Sequence, residues 1–99
     1  LPFELSLMER HPLGSQCFIP MSAEPFLVIV SSDKNGRPER PSAFITNGQQ
    51  GINYKQNVWH SVLTPLGEKN LFAVIDRIGS GKNVEEFIFG KPWIVKLNR

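Results

Sequence analysis

The sequence predicts an all-β fold of short antiparallel strands, arranged as a sandwich or a small closed barrel. Its apolar runs are short and are interrupted by eight Gly and eight Pro residues. Few windows keep a helical period for three turns, and turn-forming residues recur about every ten residues. The 99 residues are predicted to form one domain, 1–99, which is long enough to bury a core without disulfides or a structural metal.

Alternating apolar residues predict a first strand from Phe3 towards Glu9 and His11, with Leu5 and Leu7 on its buried face. The run 25–31 is apolar on both faces, which is typical of a central strand. The other predicted strands are 16–19, 43–46, 51–55, 58–62 and 70–76. Asp-Lys-Asn-Gly at 33–36 predicts a tight turn. Residues 84–89 fit either one helical turn or a last strand, and 93–97 fit an edge strand.

Composition excludes several classes of protein. A net charge of +2 and a pI near 8.9 are too mild to imply a nucleic-acid partner. The basic residues at 34, 37 and 40 are close in sequence and are interpreted as a solvated loop. The longest apolar run, 26–30, is far short of the ~18 residues that a membrane span needs. The single Cys17 cannot form an internal disulfide, which favours a reducing, cytoplasmic compartment.

The two histidines are the first candidates for chemistry. Glu9 and His11 are two residues apart on one predicted strand, so their side chains share a face. Gln16 follows the Pro-Gly turn, where the returning strand comes back beside them, and His60 belongs to another hairpin. Together these four residues would form a mixed oxygen and nitrogen set that suits Ni, Fe, Mn or Zn. Spacing alone also allows a purely structural role for each histidine.

Asp76 ends an apolar run, so its carboxylate would lie at the end of a buried strand. Such a group needs a partner, and Arg77 or Lys55 could supply one. A structural ion pair and a catalytic acid are both open for Asp76. Trp59, beside the second histidine, is interpreted as a packed aromatic.

Three longer segments, residues 9–21, 43–54 and 57–60, resemble the signature segments of the ureidoglycolate lyase family, and residues 71–77 resemble its next segment. The resemblance implies a cupin-type antiparallel β-barrel, or jelly roll, in a cytoplasmic homodimer. It also implies cleavage of ureidoglycolate, a small carboxylate, to glyoxylate and urea during allantoin breakdown. The enzyme class would be a carbon–nitrogen lyase of the amidine-lyase type.

By likeness to the family, Glu9, His11 and Gln16 occupy the first cupin ligand motif and His60 supplies the second motif's histidine. Glutamine stands where cupins usually carry an acidic ligand. Because a neutral amide is the poorer ligand, the resemblance leaves both a divalent metal and metal-free chemistry open. No organic cofactor is expected, since the elimination involves no redox step.

The reaction needs a base for the substrate hydroxyl and an acid for the leaving nitrogen. Histidine titrates near neutrality, so we expect His60 to be the base, with His11 as the alternate. Tyr54 would donate a proton or hydrogen bond to the leaving urea, or would only pack in the barrel. Asp76 remains a further candidate acid.

The anionic substrate also needs a positive partner. Lys55 is the first choice and Arg77 the second, because both lie near the motifs. Arg10 comes last, since alternation places its side chain opposite to those of Glu9 and His11.

Two alternatives to the lyase remain at this point. One is a non-catalytic cupin-like module that binds a small molecule or regulates another protein. The other is a different metal-dependent cupin enzyme, such as an isomerase or dioxygenase, which the weakened ligand set makes less favoured.

Overall fold

A computed structural model describes residues 1–97 and contains antiparallel β-sheets. The strands are β1 (Phe3–Arg10), β2 (Gln16–Pro20), β3 (Phe26–Ser31), β4 (Asp33–Lys34), β5 (Arg37–Pro38), β6 (Ser42–Ile45), β7 (Ile52–Tyr54), β8 (Trp59–His60), β9 (Thr64–Pro65), β10 (Phe72–Asp76) and β11 (Glu85–Val95). None of the described residues lies in a helix, so none of them forms a helix able to cross a membrane. The predicted all-β class is confirmed, and the architecture is consistent with a cupin-type fold.

The strands form two sheets and a hairpin. The larger sheet has the order β11-β1-β8-β3-β6, with β9 also paired to β3. The smaller sheet has the order β10-β2-β7, and β4 pairs with β5. Asn35 and Gly36 join that hairpin with φ angles of 55° and 83°, the left-handed conformations that a type I′ turn requires. The predicted turn is therefore confirmed.

Strand β3 separates two apolar clusters, as its two-sided apolar pattern predicted. On one side Leu27 and Ile29 pack with a cluster that also contains Leu5, Met8 and Trp59. On the other side Phe26 and Val28 pack with Phe18 and Tyr54. Because successive side chains of a strand point to opposite faces, a strand between two cores must be apolar at every position.

The first strand departs from simple alternation. Its pairing with β11 shifts register between Leu5 and Leu7, and the buried residues are Leu5 and Met8, which are 1% and 0% exposed. The expectation that Leu7 is buried on the face of Leu5 is wrong, because the irregularity reverses the alternation after Leu5. As a consequence Glu9 points away from the Leu5 cluster.

The last strand is a single element. The sequence predicts two separate segments, 84–89 and 93–97, and allows a helical turn for the first; the helical interpretation is wrong, because Glu85–Val95 forms one strand. Pro92 has no backbone N–H to donate, and β11 loses regular pairing with β1 across residues 89–92. The two-residue strand β9 was not predicted, because so short a strand has no periodic signal.

We expect Met8→Ala to lower the free energy of unfolding by about 2–5 kcal/mol, because it removes a fully buried side chain. Leu7→Ala is the matched control and should cost clearly less, since Leu7 is only half-buried. Urea denaturation of the two variants measures both values. Equal losses, or a larger loss for Leu7→Ala, would contradict the burial of Met8 in place of Leu7.

Candidate active site

Strand pairing brings the two histidines together. In the larger sheet His60 on β8 pairs with Glu9 on β1 and with Val30 on β3. The ring centroids of His11 and His60 are 5.1 Å apart. One ligand atom from each of Glu9, His11 and His60 lies within 4.8 Å of the others. Two segments that are distant in sequence therefore converge, as their residue types and spacing predicted.

His60 presents a free lone pair to this cluster. Its Nδ1 atom lies 2.8 Å from the carbonyl oxygen of Ser61, and a carbonyl only accepts, so Nδ1 carries the proton. Nε2 is buried and has no hydrogen-bond partner within the described residues. Burial lowers the pKa of His60 to about 4, and the neighbouring His11 acts in the same direction. The ring is therefore neutral at pH 7, with Nε2 as an unused acceptor.

The orientation of Gln16 follows from Asp76. Gln16 Nε2 donates to Asp76 Oδ2 at 2.9 Å, and an ionised carboxylate cannot donate in return. The amide oxygen of Gln16 must therefore face the other way, towards Nε2 of His11 at 3.1 Å. Strand pairing supports this arrangement, because Gln16 lies opposite Asp76 in the small sheet.

His11 is held from its other side by the backbone of Asn83. Its Nδ1 atom lies 2.7 Å from the Asn83 carbonyl oxygen and must donate to it. In a neutral ring, Nε2 then presents a lone pair to the lone pairs of the Gln16 amide oxygen. Such a contact is favourable only if a positive charge, a proton or a cation, lies at Nε2.

The donor set therefore fits a divalent cation. Backbone carbonyls accept the Nδ1 protons of both histidines, and Asp76 accepts a proton from the Gln16 amide. The Nε2 lone pairs of the histidines and the amide oxygen of Gln16 therefore face the centre of the cluster. Ligating histidines in metalloproteins are oriented in this way by their second nitrogen. The 3.1 Å contact also matches the separation of about 3 Å between neighbouring ligands whose bonds are ~2.1 Å long.

Tyr54 forms one wall of the site. Its ring stacks on that of His60, with centroids 4.1 Å apart and planes inclined by 8°. Burial raises the pKa of Tyr54 to about 12, so the phenol keeps its proton and is a weak acid. These contacts favour the packing role of Tyr54, in which it fixes the plane of the His60 ring.

Asp76 is the exposed end of the cluster. His60 is 1% exposed and His11 is 9% exposed, whereas Gln16 is half-buried and Asp76 is exposed. A cleft of about 340 Å³ lies beside this end, and Asp76 and Arg77 are among its lining residues. Asp76 accepts from the Gln16 amide and from the backbone N–H of Arg77. The expected ion pair with the Arg77 or Lys55 side chain is not formed, and within residues 1–97 Asp76 has no salt bridge.

The three candidate cations are placed differently. The Arg10 guanidinium bonds to Asp33 at 3.0 Å and to Glu85 at 2.7 Å, and it lies 4.6 Å over the Trp59 ring. It is therefore engaged on the face opposite to Glu9, as alternation indicated. Lys55 is exposed just after β7. Arg77 donates to the Ser80 carbonyl oxygen at 3.0 Å and lines the cleft beside Asp76.

Two groups of the site could not be found from the sequence. They are the main-chain carbonyls of Ser61 and Asn83, which orient the two histidines. Every residue has a carbonyl, so no residue type marks this role. The side chain of Asn83 also has a role, because its Oδ1 accepts from the backbone N–H of Leu13 at 2.7 Å and so fixes the loop that carries the carbonyl.

Fold and site together define an all-β, cupin-like protein with an imidazole and carboxylate centre between its two sheets. The chain belongs to the ureidoglycolate lyase family, whose model matches residues 1–96.

Similar proteins named ureidoglycolate lyase occur in several bacteria. The chain is 55% identical over 95 residues to one from Rhizobium leguminosarum bv. trifolii (strain WSM2304), covering 96% of this chain and 57% of that protein. It is 55% identical over 97 residues to one from Chelativorans sp. (strain BNC1), covering 98% and 59%. For one from Agrobacterium fabrum (strain C58 / ATCC 33970) the identity is 51% over 94 residues, covering 95% and 57%. The chain thus spans 57–59% of the length of these three relatives.

We expect acid to destabilise the metal-free protein through His60. Its pKa is about 4 when folded and ~6.5 when unfolded, so between these values the unfolded chain binds more protons. Stability is therefore fully present above pH ~6.5 and falls as the pH drops towards 4, by up to about 3 kcal/mol. Urea denaturation at a series of pH values measures this loss.

His60→Gln is the control for that measurement, because it removes the titrating group and keeps a polar side chain. Its stability should change much less between pH 7 and 4. An equally steep loss in this variant would show that other groups control the acid sensitivity.

Proposed function

We propose that this chain carries the catalytic centre of a ureidoglycolate lyase, a carbon–nitrogen lyase of the amidine-lyase type that releases glyoxylate and urea. The observation that carries the proposal is the neutral, unpartnered Nε2 of His60 in a chain of that family. Relatives named for this activity share about half of its residues.

The reaction moves one proton within the substrate. Ureidoglycolate carries a hydroxyl and a urea nitrogen on the same carbon, next to its carboxylate. The hydroxyl loses its proton, its oxygen forms a carbonyl with that carbon, and the carbon–nitrogen bond breaks as the nitrogen takes up a proton. No electrons enter or leave, so no redox cofactor is needed.

His60 can perform both proton steps. Its Nε2 is placed as the acceptor for the hydroxyl proton. Burial lowers the pKa of His60 to about 4, which makes the neutral ring a weaker base than a free imidazole and makes its imidazolium a stronger acid. The imidazolium therefore returns the proton readily to the leaving nitrogen. Tyr54 holds the ring in plane by stacking, and the Ser61 carbonyl fixes the tautomer.

We assign Glu9, His11 and Gln16 as the residues that would hold a divalent ion, and we assign Nε2 of His60, which faces the same cluster, as the acceptor of the substrate proton. The approach of His11 Nε2 to the Gln16 amide oxygen at 3.1 Å supports this assignment, as does the position of the Glu9 carboxylate. When bound, the ion would polarise the hydroxyl and carboxylate oxygens of the substrate and make the hydroxyl more acidic. Ni, Mn, Zn and Fe all suit such a mixed set.

We propose Arg77 as the cation that binds the substrate carboxylate. It lines the cleft that Asp76 also lines, whereas Arg10 is held by two carboxylates elsewhere. Lys55 remains the alternative, since it directly follows Tyr54.

We further propose that the protein works as a homodimer in the cytoplasm. Exposed apolar side chains on and around β10 support an interface there, namely Leu71, Val74, Ile75 and Ile78. The unpaired Cys17 supports a reducing compartment.

The activity is tested by incubating the protein with ureidoglycolate, with and without Ni²⁺ or Mn²⁺, and following glyoxylate. We expect release of glyoxylate, and a loss of about 10²–10⁴-fold in kcat for His60→Gln. Divalent metal affinity should stay within about threefold in this variant, because His60 is assigned as the base.

Two outcomes would change the assignment. If His60→Gln lost metal affinity together with activity, His60 would be a ligand rather than the base. If the folded wild-type protein released no glyoxylate with either ion, the chain would be a binding module of the same fold.

The Gln16–Asp76 hydrogen bond predicts a coupled response to mutation. Gln16→Glu alone puts a second carboxylate next to that of Asp76. Asp76→Asn alone removes the acceptor-only group that fixes the orientation of the Gln16 amide. Each single variant should therefore bind Ni²⁺ about 10- to 100-fold more weakly. In the double variant the new amide at position 76 donates to the new carboxylate at position 16, so the hydrogen bond is kept. The negative charge now lies at the ligand position, and the double variant should therefore bind Ni²⁺ at least as tightly as the wild type does.

Isothermal titration of Ni²⁺ into the three variants gives the coupling directly. Additive losses in the double variant would show that Asp76 does not orient Gln16. Retained wild-type affinity in all three would remove Gln16 from the ligand set.

A further inference from the structure

A second cleft lies away from the histidines, between the β4–β5 hairpin with the residues after it and the irregular part of β11. Its volume is about 830 Å³, and none of the candidate active-site residues lines it. The site of a small acid would not need such a volume, which falls in the range of cavities that bind larger organic ligands. The proposed lyase chemistry leaves this cleft unused.

The cleft is strongly cationic. Its lining residues include four cations, Lys34, Arg37, Arg40 and Lys91, and one acid, Glu39. This small region therefore carries more net positive charge than the whole chain, which has +2. Within residues 1–97 none of the four cations forms a salt bridge. Unpaired cations that converge on a concave surface attract a multiply charged anion.

Aromatic rings orient the two arginines. The Arg37 guanidinium lies 5.1 Å over the Phe87 ring, and that of Arg40 lies 5.9 Å from the centre of the Trp93 ring. Guanidinium groups held by cation–π contacts keep their N–H donors free for a phosphate or carboxylate. The sequence had indicated only a solvated loop here, so this arrangement is a product of the fold.

The cleft also offers flat apolar surface. Phe87, Phe89 and Trp93 line it, and Trp93 is 39% exposed. Phe87 is fixed from below by edge contacts with Trp59 and Phe89 at centroid distances of 6.4 and 5.3 Å. A rigid aromatic surface next to unpaired arginines suits a ligand that has both a planar ring and several negative charges.

The hairpin that forms the opposite wall is firmly anchored. Asp33 accepts from Trp59 Nε1 at 2.9 Å and from Arg10 at 3.0 Å. These contacts lower the pKa of Asp33, with the Trp59 bond as the largest cause, so the anchor is ionised at neutral pH. The cleft therefore has two fixed walls in the absence of any ligand.

We propose that this cleft binds a nucleoside polyphosphate, with its phosphates on Arg37, Arg40 and the two lysines and its base against Trp93. The proposal does not depend on the lyase activity, because binding is measured without turnover. ADP is the probe, and pyrophosphate and adenosine are its two halves.

Isothermal titration of the full chain should show saturable binding of ADP, with pyrophosphate and adenosine at least tenfold weaker. Arg37→Gln and Lys91→Gln should each weaken ADP binding by about fivefold to tenfold. Lys91 is exposed, so its variant tests the charge without risk to the fold. Lys69→Gln, which removes an exposed lysine outside the cleft, is the matched control and should bind as the wild type does.

Trp93→Leu tests the contact with the base independently of the contacts with the phosphates. It keeps an apolar side chain and should reduce the affinity for ADP to that for pyrophosphate, while pyrophosphate binding stays unchanged. The proposal is overturned if ADP does not bind below about 1 mM, if pyrophosphate binds as tightly as ADP, or if Lys91→Gln and Lys69→Gln have equal effects.

Discussion

The two-residue strand β8 is the constraint on which the rest of the structure depends. It pairs with β1 through His60 and with β3 through both of its residues. Because neighbouring side chains of a strand point to opposite faces, Trp59 and His60 enter different environments. His60 reaches the cluster of lone pairs, and Trp59 reaches the apolar cluster and the anchor Asp33. One short strand thus fixes both the candidate active site and the wall of the cationic cleft.

Hydrogen bonds from outside the site determine what the site can do. Carbonyl and carboxylate oxygens can only accept, so the groups that face them must keep their protons on that side. This fixes a tautomer for His60 and an amide orientation for Gln16. As a result, Nε2 of His60 is buried without a hydrogen-bond partner among the described residues. Native proteins rarely leave such an atom unpaired without a functional reason, and a proton acceptor in catalysis would be one.

Charge is distributed unevenly over the molecule. The active-site side combines the carboxylates of Glu9 and Asp76 with two histidines, whereas the cleft between β11 and the hairpin gathers four cations. Arg10 lies between the two regions and is neutralised by Asp33 and Glu85. The nearly balanced net charge of the chain therefore conceals a local surface of positive charge.

The sequence by itself determined the all-β class, the central position of β3, the tight turn at Asn35 and Gly36, and the family. These depend on local patterns: apolar periodicity, turn chemistry and ordered motifs. The residues Glu9, His11, Gln16 and His60 could be selected in advance because their types and motif positions were visible.

Only the tertiary structure decided how those residues are arranged. The register change between β1 and β11 reversed the alternation after Leu5, and so placed Met8 in the core and Glu9 in the site. The carbonyls of Ser61 and Asn83 orient the histidines without any signal in residue type. Arg37 and Arg40 line a cleft because β11 places aromatic rings beside their guanidinium groups. In each case the deciding contact joins residues distant in the chain, which a local pattern does not encode.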